Sequence, residues 1–241
     1  MADVRTSSLQ VRSKEWERFA QEDARHYICT DIPKGDAEAF WRSGAEIVEQ
    51  QFLPLAARYK IRSGTAVEIG CGIGRLAIPM ARHFDYVIGF DISKGMVEQA
   101  GGNAAAQGIA NASFCKVEDP GALEQHIQGI TQTVDFLYSL LVFQHIDDFH
   151  VIEAYIKSIH KLLSPDGIAY LQFDSRPRGL VYQLKSSIPD QLLPRDWRRG
   201  IRRVRRQPAT IEDSLRANSL DVVDSTGVQT EMHWYIVRRA D

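Results

Sequence analysis

Apolar residues along this chain recur in two rhythms. Short runs rich in Val, Ile, Phe and Leu, bounded by turn residues, fall at residues 65–70, 86–91, 112–117, 134–141 and 167–174. Runs of this length and composition predict buried β-strands. Between them lie stretches of helical length at residues 75–83, 94–107 and 149–163. Strand–helix alternation of this kind predicts a mostly parallel sheet covered by helices on both faces. The segment "SPDG" at residues 164–167 reads as a turn that stops one helix and starts the fifth strand.

The two ends break the alternation. Residues 13–60 read as mostly helical, with Trp16, Phe19, Phe40, Trp41, Ile47 and Phe52 available for an apolar face. Late β-like runs at 220–225 and 233–239, separated by "TGVQTEM", read as an antiparallel hairpin that finishes the sheet. The expected organisation is an N-terminal helical lid over 1–60 and a core over 61–241. That core includes an arginine-rich connection at 175–208.

Composition narrows the class. A chain of 241 residues, 44% hydrophobic and 25% charged, has an ordinary globular balance and buries a core without staples. A formal net charge of −2 gives no whole-protein field that would attract nucleic acid or an anionic membrane. The longest apolar stretch, near residues 134–146, is too short and too polar to span a bilayer, and the N-terminal residues contain no apolar signal core. The expected location is the cytoplasm. Three widely spaced cysteines, Cys29, Cys71 and Cys115, make neither a zinc pattern nor a disulfide framework, so reduced thiols and no metal site are expected.

The chemistry concentrates in "VEIGCGIGRLA", residues 67–77, where Gly70, Gly72 and Gly74 fall between a strand and a helix. In an open α/β sheet, ligands bind beyond the carboxyl ends of the strands, at such a turn, and the helix that follows exposes free N–H groups. Residues 72–77 also satisfy the dinucleotide spacing, with Ala77 in third place. Two carboxylates discriminate. Asp91, ending the second strand, is placed to accept both hydroxyls of a ribose. Glu68, two residues before Gly70, would repel a pyrophosphate and suits a ligand carrying an amino group or a sulfonium.

Five stretches in order, "VEIGCGIGRLAIPMA", "VIGFDISKGMVEQA", "VEDPGAL", "VDFLYSLLVFQHI" and "LLSPDGIAYLQF", resemble the ordered motifs of the class I S-adenosylmethionine-dependent methyltransferases. The resemblance covers roughly residues 65–174 and implies a Rossmann-like, mostly parallel seven-stranded sheet with a reversed last strand. It implies S-adenosylmethionine as cofactor. Glu68, Gly70, Cys71, Gly72 and Gly74 would cradle its methionine part, and Asp91 its ribose. Ile92 and Met96 would pack on the adenine, and Val117 and Glu118 would meet the adenine edge. Ser139 and Leu140 would face the donor methyl.

On the acceptor side, His145 lies just past the fourth strand and is either a general base for an alcohol or phenol or a packing histidine. Gln144 either orients a substrate or caps the helix that follows. The fourth-strand end reads Ser139-Leu140-Leu141-Val142, which within the resembled family favours an oxygen, or occasionally a carbon, acceptor over nitrogen. Trp16, Phe19, His26, Tyr27 and Trp41 could form a water-excluding lid, with Tyr27 reaching the cofactor carboxylate. Residues 195–206 hold seven arginines and one Asp, a local charge of +6 in a chain whose remainder sums to −8. Arg198, Arg199, Arg202 and Arg203 either recognise an anionic acceptor, such as a sugar acid, a phosphorylated or carrier-linked compound or a glycan end, or form a solvated face paired to local acids. No nucleic-acid motif or stacking platform accompanies them. The expected activity is O-methylation of a small-molecule or glycan-type acceptor. The alternatives are a nicotinamide-dependent oxidoreductase and a non-catalytic S-adenosylmethionine-binding module.

Overall fold

The computed structural model describes residues 2–129, 133–188, 192 and 203–240. The chain starts with α1 (Ala2–Ile28), which breaks at Asp23 (φ −168°, ψ 82°), where the carboxylate accepts the N–H of His26 at 3.3 Å and restarts the helix. α2 (Ala37–Ile47) is capped by Asp36 and runs through a π-helical turn into α3 (Leu53–Arg58). The core then alternates strand and helix: β1 (Thr65–Ile69), α4 (Ala77–Met80), β2 (Tyr86–Asp91), α5 (Lys94–Ala106), β3 (Ala112–Lys116), α6 (Glu124–Ile127), β4 (Val134–Ser139), α7 (Phe149–Leu162) and β5 (Leu163–Phe173). It closes with α8 (Leu180–Ser187), α9 (Pro208–Ala217), β6 (Leu220–Thr226) and β7 (His233–Arg239).

The seven strands form one sheet in the order β3-β2-β1-β4-β5-β7-β6. β1 to β5 run parallel, and β7 is antiparallel to both β5 and β6. This is the Rossmann-like arrangement with a reversed hairpin that the alternation and the two late runs predict. The period-2 geometry of the strands splits their apolar residues between two layers. Val67, Ile69, Ile88 and Phe90 pack under α7 and α9, while Ala66, Val87, Phe136 and Tyr138 pack under the α2–α4 side. Phe52 anchors that second layer, with its ring 5.0 Å from Tyr138 and 5.7 Å from Tyr170. A third apolar cluster, containing Phe19, Phe40, Ile73 and Met96, joins the N-terminal helices to the core.

Two sequence expectations change. The helix expected over 75–83 contracts to α4, because residues 71–76 are used by turns at the end of β1. "SPDG" is not a turn. β5 runs straight through it, with Leu163 paired to Val134 and a register shift before Phe136 pairs with Ile168. An added Cβ at Gly167 would lie 2.6 Å from the Val134 carbonyl oxygen, so the strand passes too close to β4 there for a side chain. Tertiary pairing overrides local turn chemistry here.

Candidate active site

The glycine turn is built by the ends of two parallel strands. The N–H groups of Gly70 and Cys71 both donate to the Phe90 carbonyl, at 2.7 and 3.0 Å, which folds the turn over the end of β2. Gly70 and Gly72 have φ of +77° and +52°. A side chain at Gly70 would strike Val142, and a Cβ at Gly72 would lie 2.6 Å from Cδ1 of Ile28, so both positions exclude one by backbone conformation and by contact.

This turn floors a cavity of about 310 Å³, at the lower end of the roughly 300–1,000 Å³ typical of small-molecule sites. Its walls come from the carboxyl ends of β1, β2 and β4, and its roof from α1 and the Ile28–Asp31 segment. Four bonds fasten the roof. Ser13 Oγ donates to the Ile92 carbonyl at 2.8 Å. Glu17 accepts from the Gly95 N–H and from Ser93 Oγ, both at 2.9 Å. The Gln99 amide donates to the Ala20 carbonyl at 2.8 Å. These donors hold the Glu17 carboxyl below its ordinary pKa, the Gly95 N–H contributing most.

Asp91 sits at the floor with its carboxylate oxygens accepting the N–H of Gly72 and of Ser93, each at 2.9 Å. Burial pushes its pKa up to about 6, against the opposing pull of these N–H groups. Two of the roughly four acceptor positions of the carboxylate are thereby taken, and the rest are left for a diol. Glu68 is buried at 3% exposure, with the Tyr138 hydroxyl 3.5 Å away, and burial pushes its pKa up to about 8. Arg75, also buried, donates through Nη1 to Ser43 Oγ at 3.2 Å, while its Nε has no partner. Burial lowers its pKa. Among the described residues no carboxylate comes within ion-pair distance of Arg75. An acid and a base thus line one cavity, both dehydrated and neither ion-paired. Such a pair fits the ammonium and carboxylate of an amino-acid group, and Asp91 fits a ribose beside it.

The opposite wall is made by the β4–α7 loop. Leu141 adopts φ +61°, a conformation unfavourable for a branched side chain, and its N–H is held by the Gln172 side chain at 2.9 Å. This bend throws Phe143–His145 into a 3₁₀ turn. The Gln144 amide donates to Nε2 of His145 at 3.2 Å, and Trp16 meets the imidazole edge-on at 5.8 Å between centroids. Gln144 is 1% exposed, and its Oε1 has no partner. Arg12, from α1, pairs with Asp147 at 3.2 Å across the mouth.

The expected site residues divide clearly. Glu68, Gly70, Cys71, Gly72, Asp91, Ile92, Leu140, Gln144, His145, Tyr27 and Arg203 line the cavity. Gly74, Met96, Val117, Glu118 and Ser139 do not. Met96 is packed in the cluster beneath the lid, Val117 in the sheet core, and Ser139 Oγ donates to the Ile69 carbonyl at 3.1 Å. Glu118 points outward and pairs with Lys116 at 2.6 Å. Tyr27 stacks on Phe19 at 3.9 Å and donates to Glu22 at 2.7 Å. Arg198, Arg199 and Arg202 lie outside the described residues. Sequence reasoning missed Arg75, although an arginine directly after the third glycine was a visible signal. It also missed Arg12, Asp147 and the bend at Leu141, which had none.

Among the described residues, no group of three or more His, Cys, Asp or Glu could hold a metal ion, and no helix is long and apolar enough to cross a membrane.

Comparison with known proteins gives a consistent picture. A family model described as a methyltransferase domain matches residues 67–169. A ubiquinone biosynthesis O-methyltransferase of Rhizobium rhizogenes is 27% identical over 164 residues, covering 67% of this chain and 62% of that protein. The chain thus spans less than two thirds of such a relative. The structure resembles magnesium protoporphyrin IX methyltransferase from Synechocystis with bound SAH, at a TM-score of 0.68 and 20% identity over 97% of this chain and 100% of that one. It also resembles Haemonchus contortus phosphoethanolamine N-methyltransferase 1, at a TM-score of 0.65 and 15% identity over 100% of this chain and 50% of that one. At these identities the structural likeness speaks for the fold.

Proposed function

We propose that this chain is a class I S-adenosylmethionine-dependent methyltransferase, as the methyltransferase-domain match over residues 67–169 and the O-methyltransferase relative support, and that it methylates an oxygen of a small, apolar-bodied acceptor seated between Trp16, Gln144 and His145. The observation that carries this reading is the continuity of one cavity from the buried Glu68, Arg75 and Asp91 to the Gln144–His145 wall. The family match sets the nicotinamide reading aside.

Glu68 and Arg75 would hold the amino-acid end of the cofactor, and Asp91 its ribose hydroxyls. When bound, the cofactor supplies a sulfonium methyl, already activated for in-line displacement. The protein's task is then to place the acceptor and receive its proton, and positioning alone can contribute up to ~7–11 kcal/mol. Leu9, Trp16, Leu141, Val142 and Ile146 give the acceptor wall an apolar surface. Gln144 Oε1, buried without a partner, is available to a hydroxyl of the acceptor. An acceptor hydroxyl that replaces the Gln144 amide as donor to Nε2 of His145 is positioned to lose its proton there. The docked roof would keep water from the transfer.

An oxygen acceptor is favoured by the Leu140-Leu141 sequence at the fourth-strand end and by the name of the Rhizobium relative. The anionic variant of this reading has less support among the described residues. Arg203 reaches the cavity, but it pairs with Glu231 at 2.8 Å. Arg176 joins the same carboxylate at 3.1 Å and Asp174 at 2.6 Å, so two arginines are balanced by two acids. The test is release of S-adenosylhomocysteine from S-adenosylmethionine in the presence of a panel of phenols and hydroxybenzoates. Acceptor-dependent release with a methyl ether as product is expected. Tight cofactor binding with no turnover on any hydroxyl compound would return the protein to a non-catalytic binding module.

A further inference from the structure

The buried run of β5 carries one amide. Gln172 lies fully buried between Leu171 and Phe173. An amide in such a place costs stability unless its polar atoms are bonded. Both are. Its Oε1 accepts the Leu141 N–H at 2.9 Å, and its Nε2 donates to the Glu231 carbonyl at 2.5 Å. A donor on one side and an acceptor on the other leave the amide a single orientation.

The place of these bonds in the sheet gives them a meaning. The β4–β5 ladder ends at the pair Ser139–Leu171. Beyond it the β4 main chain turns away, and Leu141 takes φ +61°, a conformation uncommon for any residue but glycine. The Gln172 side chain takes over where main-chain pairing stops, and it bonds the N–H that the bend exposes. Its other end is anchored. Glu231 lies in the turn before β7, and its carboxylate is gripped by Arg203 at 2.8 Å and by Arg176 at 3.1 Å. Arg176 is fixed in turn by the buried Asp174. The far end of the β4–α7 loop is held separately. The Val204 N–H donates to the Gln144 carbonyl at 2.6 Å, and Arg206 Nη2 donates to the Ile146 carbonyl at 2.6 Å.

We propose that Gln172 is a positioning residue for methyl transfer: from behind the cavity wall, its amide holds the left-handed bend at Leu141 and so aims Gln144 and His145 at the acceptor. The inference rests on the reading of the Gln144–His145 wall as the acceptor site. Gln172 does not line the cavity, whereas Leu141, Gln144 and His145 do, so its effect reaches the acceptor only through the loop. Without the bond, Leu141 is free to relax toward the extended or right-handed regions that suit its side chain, and the 3₁₀ turn over Phe143–His145 loses its fixed start. The loop stays attached through Val204 and Arg206. The fault to expect is therefore misaimed side chains and not an unfolded wall. Cofactor holding is spared, because Asp91 and the glycine turn are fastened by backbone N–H groups and by the Phe90 carbonyl.

The test is amide hydrogen exchange of the full chain, read residue by residue with S-adenosylhomocysteine present. The wild type is compared with Gln172→Met, which keeps the side-chain length and removes both bonds. In the wild type the Leu141 amide should exchange at least about tenfold more slowly than an unstructured one. In the variant, exchange over Leu141–His145 should quicken about fivefold, as for the loss of one neutral hydrogen bond. Residues 67–77 and 86–93 should keep their wild-type rates, and affinity for S-adenosylhomocysteine should not change. With a phenol or hydroxybenzoate that turns over, kcat should fall about tenfold while the KM for S-adenosylmethionine stays put. Adding Leu141→Asn, a residue that takes the left-handed conformation more readily, should restore part of the loop protection. Unchanged exchange in the loop, or equal acceleration throughout the chain, overturns the proposal. So does a Leu141 amide that exchanges freely in the wild type, an outcome that needs no variant to fold. Exchange needs no turnover, so the lack of any methylated product would count against the methyl-transfer reading and leave the loop measurement to decide this one.

Discussion

Glu68 and Asp91 meet the cavity from the ends of neighbouring parallel strands, and Asp91 is gripped by two backbone N–H groups. On the facing wall, His145, Trp16 and Arg12 meet their neighbours through side chains, by an imidazole–indole edge and an ion pair across the mouth. The first half is held by the sheet, whose geometry barely depends on what fills the pocket. The contacts of Trp16 and Arg12 with the second half require α1 to be docked. The cofactor half should therefore behave as rigid and the acceptor half as adjustable, with its weakest bonds at the rim.

The hardest blow to the rigid half is Asp91→Ala. On the proposed assignment two charged hydrogen bonds to the ribose would be lost, each worth about 1.5–3 kcal/mol, so calorimetric affinity for S-adenosylhomocysteine should fall about 10²–10⁴-fold. Retained affinity would remove the ribose assignment. His145→Ala strikes the other half. It should lower kcat by about 10²-fold or more, with cofactor affinity unchanged; normal turnover would make His145 a packing residue. Arg75→Leu should raise the KM for S-adenosylmethionine roughly tenfold and leave kcat nearly intact, because the charged bond proposed for Arg75 would hold the amino-acid end in ground and transition states alike. An unmoved KM would break the match between Glu68, Arg75 and an amino-acid group.

A pH series separates the halves more finely. With the Glu68 pKa raised to about 8 and that of Asp91 to about 6, cofactor affinity should begin to decline below pH 8 and steepen below pH 6, and only the steepening below pH 6 should vanish in Asp91→Asn. The sign for stability is opposite. A carboxyl group whose folded pKa is raised takes up a proton on folding, so Asp91 costs stability above pH 6 and the cost fades toward pH 4. Loss of affinity at pH 5 would then be no sign of unfolding through this group. The smallest effect belongs to the rim. Arg12→Ala should raise acceptor KM only a few-fold, in keeping with about 0.2–1 kcal/mol for a partly exposed ion pair, and the difference should shrink at high salt. A large, salt-independent loss would mean that Arg12 itself contacts the acceptor.

Much of the cavity floor was legible in the sequence because its signals are local. Gly70 and Gly72 mark a turn where a side chain cannot go, and Asp91 ends an apolar run that must be a strand. Met96 and Val117 show the limit of that legibility. Their distance along the chain from Asp91 suits an adenine wall, but packing under α1 and within the sheet takes both away from the cavity. Arg75 was missed for the converse reason. Its meaning depends on having no acid beside it, which is a statement about neighbours in space.

The alternation of buried runs and helical stretches, read from the sequence alone, determined a parallel sheet with a reversed hairpin and a glycine turn after the first strand. Hydrophobic period and glycine placement act over a few residues and leave few topologies open. Only the tertiary structure decided that β5 runs through "SPDG", that Arg203 pairs with Glu231 beside the cavity, and that α8 shows its leucines outward. Each of these follows from which groups meet across long stretches of chain, and pairing, neutralisation and exposure are properties of such meetings.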